Sequence, residues 1–151
     1  MSFASFVTCR LKWYAMVPAI FTAVAIAVPF LLNSIPMLGF ALQRGFALIC
    51  HQQAERSFVL FGGSVAVCAR CLGIYLGATI GLLVRLPRAI AVRWLTALVV
   101  LNLVDWSAEI AGLHGNWMLA RLALGIALGL TAAMLVASSG EIKIAAQAKA
   151  A

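Results

Sequence analysis

Charged residues are scarce in this chain of 151 residues, and acidic residues are the scarcest. Aspartate and glutamate together number 4, against 11 lysines and arginines, while 65% of the residues are hydrophobic. A soluble domain of this length cannot bury so much apolar surface, because small folds keep a large share of their surface in water. The shortage of charge therefore excludes a soluble globular domain and indicates an integral membrane protein.

Two further features are absent from the sequence: the pattern of a nucleic-acid-binding surface and that of a cleavable signal. The basic residues, which give a net charge of +7, form no face with interleaved aromatic side chains, so we expect no nucleic-acid partner. The first apolar run is too long for the core of a cleavable signal and has no clear cleavage site, so we expect a retained span. The partner that this composition predicts is the lipid bilayer.

Long apolar runs fill most of the chain and predict an all-α integral membrane protein with a single domain over 1–151. A run of about 20 apolar residues crosses one hydrocarbon core as a helix. We expect four transmembrane helices, an extra interfacial or bundle-packed helix over 35–49, and a Cys/His-containing loop over 50–71 with a short β-hairpin at Gly62-Gly63. The predicted spans are 13–32, 72–86, 89–112 and 117–138.

Glycine recurs at every fourth position of the second predicted span, at Gly73, Gly77 and Gly81. Gly125 and Gly129 share one face of the fourth span in the same way. Because small residues at this spacing let helix backbones approach closely inside a membrane, we expect another helix to pack tightly against this face.

The basic residues are divided unequally between the two sides of the predicted bundle. Seven lie with the termini and the connection between spans two and three, and four lie on the other side. Positive charge is retained in the cytoplasm, so we expect an orientation in the cell membrane with both termini cytoplasmic and the loop 50–71 outward.

The stretch from Cys50 to Tyr75 concentrates the reactive side chains. Cys68 and Cys71 form a CxxC motif, whose spacing lets both sulfurs turn toward one centre. Together with Cys50 and His51 they would fill a tetrahedral zinc site, and three ligands with a water is the other arrangement; another transition metal is the alternative to zinc. CxxC is also a dithiol motif, so a disulfide, a redox pair and inert thiols compete with metal binding.

Four charged residues are candidates for catalysis: Glu55, Asp105, Glu109 and Arg121. Asp105 and Glu109 lie one helical turn apart in a span, where a charge is costly and needs a partner or a task. We expect Arg121 to meet Asp105 and to hold an anionic group, while a carboxylate moves a proton. Glu55 would carry a proton beside His51. The alternatives are a structural ion pair and a solvated loop residue.

The predicted topology brings scattered polar residues to the membrane face that carries the cysteines, and this convergence indicates a functional pocket. The residues concerned are Tyr75, Asp105, Glu109, His114 and Arg121.

Three blocks, CHQQAERSF, VCARCLGIYLG and DWSAEIAGLHGNWMLARLALG, resemble the predicted membrane proteins grouped as domain of unknown function 2085. The residues that match the family pattern are Cys50, His51, Gln52, Arg56, Ser57, Phe58, Cys68, Arg70, Cys71, Gly73, Tyr75, Gly77, Asp105, Arg121 and Gly125. Ala54 stands in place of a proline and Glu109 in place of a glutamine, and Asn116 and Met118 replace an expected serine and asparagine. The resemblance implies a multi-span membrane protein with a Cys/His centre and brings no activity.

Several functions fit these features. The first is a metal-dependent membrane enzyme that acts on a lipid or lipid-linked headgroup. The second is a structural or assembly module, stapled by metal or a disulfide within a homo- or hetero-oligomer. The third is a thiol–disulfide carrier, and transport has the least support because four short spans enclose little space.

Overall fold

The computed structural model describes residues 3–84, 87–113, 115 and 117–150, with their side chains between 13 and 138. The helices are α1 (Phe3–Ser34), α2 (Pro36–Ala47), α3 (Ala69–Gly81), α4 (Arg88–Ile110) and α5 (Met118–Ala150). Between α2 and α3 lie a short 3-10 helix, Ala54–Arg56, and two strands, β1 (Val59–Leu60) and β2 (Gly63–Ser64). The chain is therefore mostly helical, with a small sheet.

Within the described residues, three helical segments are long and apolar enough to cross a membrane: Trp13–Ser34, Arg88–Ile110 and Met118–Ser138. They agree with three of the predicted spans to within two residues at each end. The second predicted span, 72–86, differs, because α3 has 13 residues and ends at Gly81. A helix of that length is about 20 Å long, whereas a hydrocarbon core is about 30 Å thick. Four spanning helices are thus not confirmed.

Helix α2 folds back along α1 after a break at Ile35. A Cβ atom on Gly39 would lie 2.6 Å from the backbone nitrogen of Leu32, so only glycine permits this close approach. Farther along, the rings of Phe21 and Phe46 meet edge to face with centroids 6.0 Å apart. The extra helix predicted over 35–49 is therefore packed against the bundle.

Helices α3 and α5 form the closest helix pair. Added Cβ atoms at Gly73, Gly77 and Gly81 would each overlap a backbone carbonyl of α5, and those at Gly125 and Gly129 would overlap α3 in the same way. The tight contact predicted for the glycine face is present, and its partner is the glycine face of α5. Since the order of contacts runs in the same direction on both helices, α3 and α5 are parallel.

The loop before α3 docks against the C-terminal half of α1, where a proline removes one of the helix hydrogen bonds. Pro29 has no N–H to donate to the Ala25 carbonyl, and the Ala66 N–H donates to that carbonyl instead, at 3.3 Å. The predicted hairpin is also present, with Val59 opposite Ser64. Its turn residues are Phe61 and Gly62, with φ of 53° and 80°, one residue earlier than predicted.

Candidate metal centre

Three cysteines meet where α2 ends and α3 begins. The sulfur atoms of Cys50, Cys68 and Cys71 all lie within 4.8 Å of one another. All three are free thiols; Cys50 is buried and the other two are half-buried. Three sulfurs at this separation can coordinate one metal ion, since zinc–sulfur bonds are about 2.3 Å long.

The start of α3 sets the positions of two of these sulfurs. Cys68 is the N-cap residue, with an extended backbone, and Cys71 lies in the first helical turn. The backbone N–H of Cys68 donates to the sulfur of Cys50 at 3.2 Å. Hydrogen bonds from the thiols of Cys68 and Cys71 lower the pKa of Cys50 well below its usual value. A helix N-terminus and N–H donors both favour a thiolate, which is the form that binds metal.

Gln52 holds the loop that carries Cys50, and sequence reasoning did not assign it a role. Its side-chain nitrogen donates to the carbonyl of Gln43 at 2.6 Å and to that of Ala66 at 2.9 Å. Its backbone has a φ of 49°, a left-handed conformation that costs about 1 kcal/mol for a residue with a side chain. The sequence feature that could have indicated this role is the position of Gln52 directly after Cys50 and His51, in the first block that resembles the family.

A network of ion pairs lies beside the cysteines. Arg70, between the two cysteines of the CxxC motif, pairs with Asp105 of α4. Glu109, one turn farther along α4, pairs with Arg56 of the loop at 2.9 Å and with Arg121 of α5 at 2.5 Å. Arg121 is only 3% exposed. The network therefore ties α4 and α5 to the cysteine loop and to the start of α3.

Two cavities adjoin the cysteines. The larger, of about 470 Å³, is bordered by the three cysteines and by His51, Arg56, Arg70, Ile49, Gln52, Gln53 and Trp106. The smaller, of about 50 Å³, is bordered by Cys68, Arg56, Arg70, Glu109 and Arg121. Sulfur and guanidinium groups thus share the walls of both spaces, an arrangement suited to a metal ion beside an anionic ligand.

The structure brings most of the predicted site residues together. Glu109 and Arg121 share the smaller cavity with Cys68, and Asp105 reaches this cluster through Arg70. His51 is exposed and lies outside the group of three sulfurs, although it borders the larger cavity. Its role as a ligand stays a prediction, as does the contact between Asp105 and Arg121.

One candidate lies away from these cavities, and another is outside the described residues. Glu55 is exposed in the 3-10 helix and does not border either cavity beside the cysteines. His114 falls outside the described residues, as does Asn116. The proton-carrying role suggested for Glu55 therefore rests on its sequence position beside His51 alone.

Residues 50–135 match a family model described as "Predicted membrane protein (DUF2085)". Two archaeal proteins, both described as uncharacterized, are similar over 97 residues. One, from Methanocaldococcus jannaschii, is 32% identical over 57% of this chain, and the match spans 60% of that protein's length. The other, from Methanothermobacter thermautotrophicus, is 33% identical over 60% of this chain and 86% of its own length. No solved structure matches.

Proposed function

This chain belongs to the DUF2085 family of predicted membrane proteins, and from that premise we propose that Cys50, Cys68 and Cys71 bind a divalent metal ion of the zinc type. The observation that carries the proposal is the convergence of three free sulfurs within 4.8 Å. Thiolate ligands select zinc and other soft ions over magnesium or calcium. Three protein ligands are typical of catalytic zinc sites, which keep one position for water or substrate.

The proposed role of the metal is Lewis-acid chemistry on a lipid or lipid-linked group. Its support is the larger cavity, in which the cysteines lie beside Arg56 and Arg70. A metal there would polarise a bound oxygen, and the arginines would orient a negatively charged group. Glu109 and Asp105 would hold those arginines in position through their ion pairs.

We also propose four crossings, with both termini cytoplasmic and the cysteine loop outward. In this arrangement α3 and the preceding loop make the second crossing together, since Leu82 packs near Ala15 while the carbonyl of Phe61, in the hairpin, accepts from the side chain of Asn33 at the other end of the first span. The seven-to-four distribution of basic residues supports the orientation. A cysteine introduced at Ser64 should react with an impermeant maleimide from outside the cell, and one at Ser139 should not. The opposite labelling pattern would reverse the orientation.

The metal proposal is tested by metal analysis of the purified full chain and of Cys68→Ser. We expect about one zinc ion per wild-type chain and almost none in the variant. Cys9→Ser is the matched control, because it makes the same change at the remaining cysteine and should leave the metal content unaltered. A wild-type chain without metal, in which thiol counting reveals a disulfide among the three cysteines, would refute metal binding and favour the thiol–disulfide carrier. A retained zinc ion with a fourth protein ligand would favour the structural module.

A further inference from the structure

An apolar groove of about 340 Å³ lies between α1 and α2, on the side of the molecule next to the cysteines. Ile20, Phe21 and Val24 of α1 form one wall, and Leu42 and Phe46 of α2 form the other. Its size falls within the range of small-molecule sites, which is about 300–1,000 Å³. The groove can therefore hold an extended hydrocarbon segment.

The groove and the larger cysteine cavity are neighbours that share Ile49 as a wall residue. This residue borders both spaces, and it directly precedes Cys50. The groove on one side of Ile49 is almost wholly apolar, while the cavity on the other side contains sulfur, imidazole and guanidinium groups. Such a division matches a molecule with a hydrocarbon chain at one end and a polar group at the other.

The polar end favours an anion. Arg56 and Arg70 border the cavity, and in the described part of the chain each uses only its Nη2 atom to pair with a carboxylate. A guanidinium group has five N–H donors, so both arginines keep donors for a further acceptor. The Nε atom of Arg70 is buried and has no hydrogen-bond partner among the described residues. The ion-pair network contains three arginines, Arg56, Arg70 and Arg121, and two carboxylates, Asp105 and Glu109, so positive charge is in excess there.

We propose that the site binds an amphiphile with a phosphate headgroup, which lies in the cysteine cavity against Arg56 and Arg70, and a hydrocarbon chain, which lies in the groove between α1 and α2. The contact of the phosphate with a metal rests on the proposed function. The contacts of the phosphate with the arginines, and of the hydrocarbon chain with the groove, do not depend on that function. The occupant is a membrane lipid or a lipid-linked phosphate rather than free phosphate, because a soluble anion would leave the adjoining groove unused.

The probe that tests this is a phosphatidic acid with a photoreactive acyl chain, added to the full chain in phosphatidylcholine nanodiscs. Mass spectrometry should locate the crosslink on residues 36–49. Unlabelled phosphatidic acid should compete with the probe, whereas diacylglycerol and inorganic phosphate should not. Equal competition by diacylglycerol would mean that the site does not recognise the phosphate headgroup. Competition by inorganic phosphate would mean that the hydrocarbon chain does not contribute to binding. Either result overturns the proposal.

Gly45 provides a way to fill the groove without disturbing the fold. It borders the groove, and a Cβ atom added there would meet no atom within 4 Å. Gly45→Leu should lower specific crosslinking about tenfold, while Gly45→Ala, which adds only one carbon, should change it little. Arg56→Gln should lower it about tenfold as well, and the exposed Arg93 supplies the matched control, Arg93→Gln.

The zinc content of each sample separates this inference from the proposed function. Specific crosslinking in a chain that holds no zinc would support the lipid site and refute the metal proposal. Zinc retained in Gly45→Leu, with crosslinking unchanged from the wild type, would overturn the lipid site and leave the metal proposal intact.

Discussion

Replacing Gly77 by alanine should push α3 and α5 apart and thereby loosen the cysteine cluster. An added Cβ atom would overlap the Ile126 carbonyl oxygen and would lie 2.8 Å from both the Ile126 carbonyl carbon and the Leu130 nitrogen. Nonbonded carbon atoms normally stay about 3.5–4.0 Å apart, so the helices must separate by roughly 1 Å. The obstructing atoms belong to the backbone and cannot rotate away.

The size of the effect follows from two opposing contributions. Overpacking a close contact costs about 1–3 kcal/mol, and we expect the upper end here because backbone meets backbone. Alanine gains about 1 kcal/mol over glycine in helix propensity. The net loss of unfolding free energy is about 2 kcal/mol, which lowers the melting temperature of a chain of this size by roughly 4–8 °C.

Thermal unfolding of the purified chain in detergent measures this loss, and Gly45→Ala is the matched control. The control makes the same substitution in a helix, but its Cβ atom meets nothing within 4 Å, so its melting temperature should stay level or rise. Zinc affinity should fall in Gly77→Ala because Cys71 moves with α3. Equal melting temperatures for the two variants would refute the close helix contact.

Three further results should follow from the site. Gln52→Ala should lower metal affinity about tenfold by freeing the loop, whereas Gln53→Ala should not; equal losses would show that Gln52 does not position Cys50. Arg121→Ala should cost about 1–3 kcal/mol, because Glu109 loses its buried partner and keeps only the pair with Arg56. A chemical-denaturation cycle should show that the double variant of Arg121→Ala and Glu109→Ala costs less than the sum of the two single changes, and additive costs would contradict a direct pair. A chelator should lower the melting temperature of the wild type but not of Cys68→Ser, and an equal fall in both would exclude a stabilising metal.

Periodicity and length predicted the long helices because each is a continuous apolar run. The small hairpin followed from the turn chemistry around Gly62, and the close helix contact followed from the spacing of the glycines. The ends of α3 could not be predicted in this way, because the residues on either side of it are as apolar as the helix itself. Its start depends on tertiary contacts, such as the hydrogen bond from Ala66 to the carbonyl that Pro29 leaves open on α1.

It was easier to predict which residues belong to the site than which of them form ion pairs with one another. The CxxC spacing and the nearby Cys50 were sufficient to bring three cysteines to one place, because a helix start aims both sulfurs of the motif to the same side. The ion pairs depend on the rotation of α4 about its axis, which hydropathy does not fix for a helix this apolar. Arg70 was consequently missed as the partner of Asp105, and Gln52 was missed because its contacts join segments that are distant in the chain.

The Ala25 carbonyl receives its hydrogen bond from the loop and not from α1, and this affects the order in which the protein folds. If Trp13–Ser34 crosses the bilayer as proposed, Ala25 lies near the middle of that segment, where no water can satisfy its oxygen. The helix α1 alone would then insert with an unpaired acceptor that costs several kcal/mol. The acceptor is satisfied only when Ala66 arrives, after the ribosome has made the whole loop. Since Ala66 lies two residues before Cys68, any ion that gathers the cysteines would also hold this donor against α1. If the cysteines bind the proposed ion, maturation of the first span would wait for it, and metal starvation would leave an early membrane intermediate open to proteolysis.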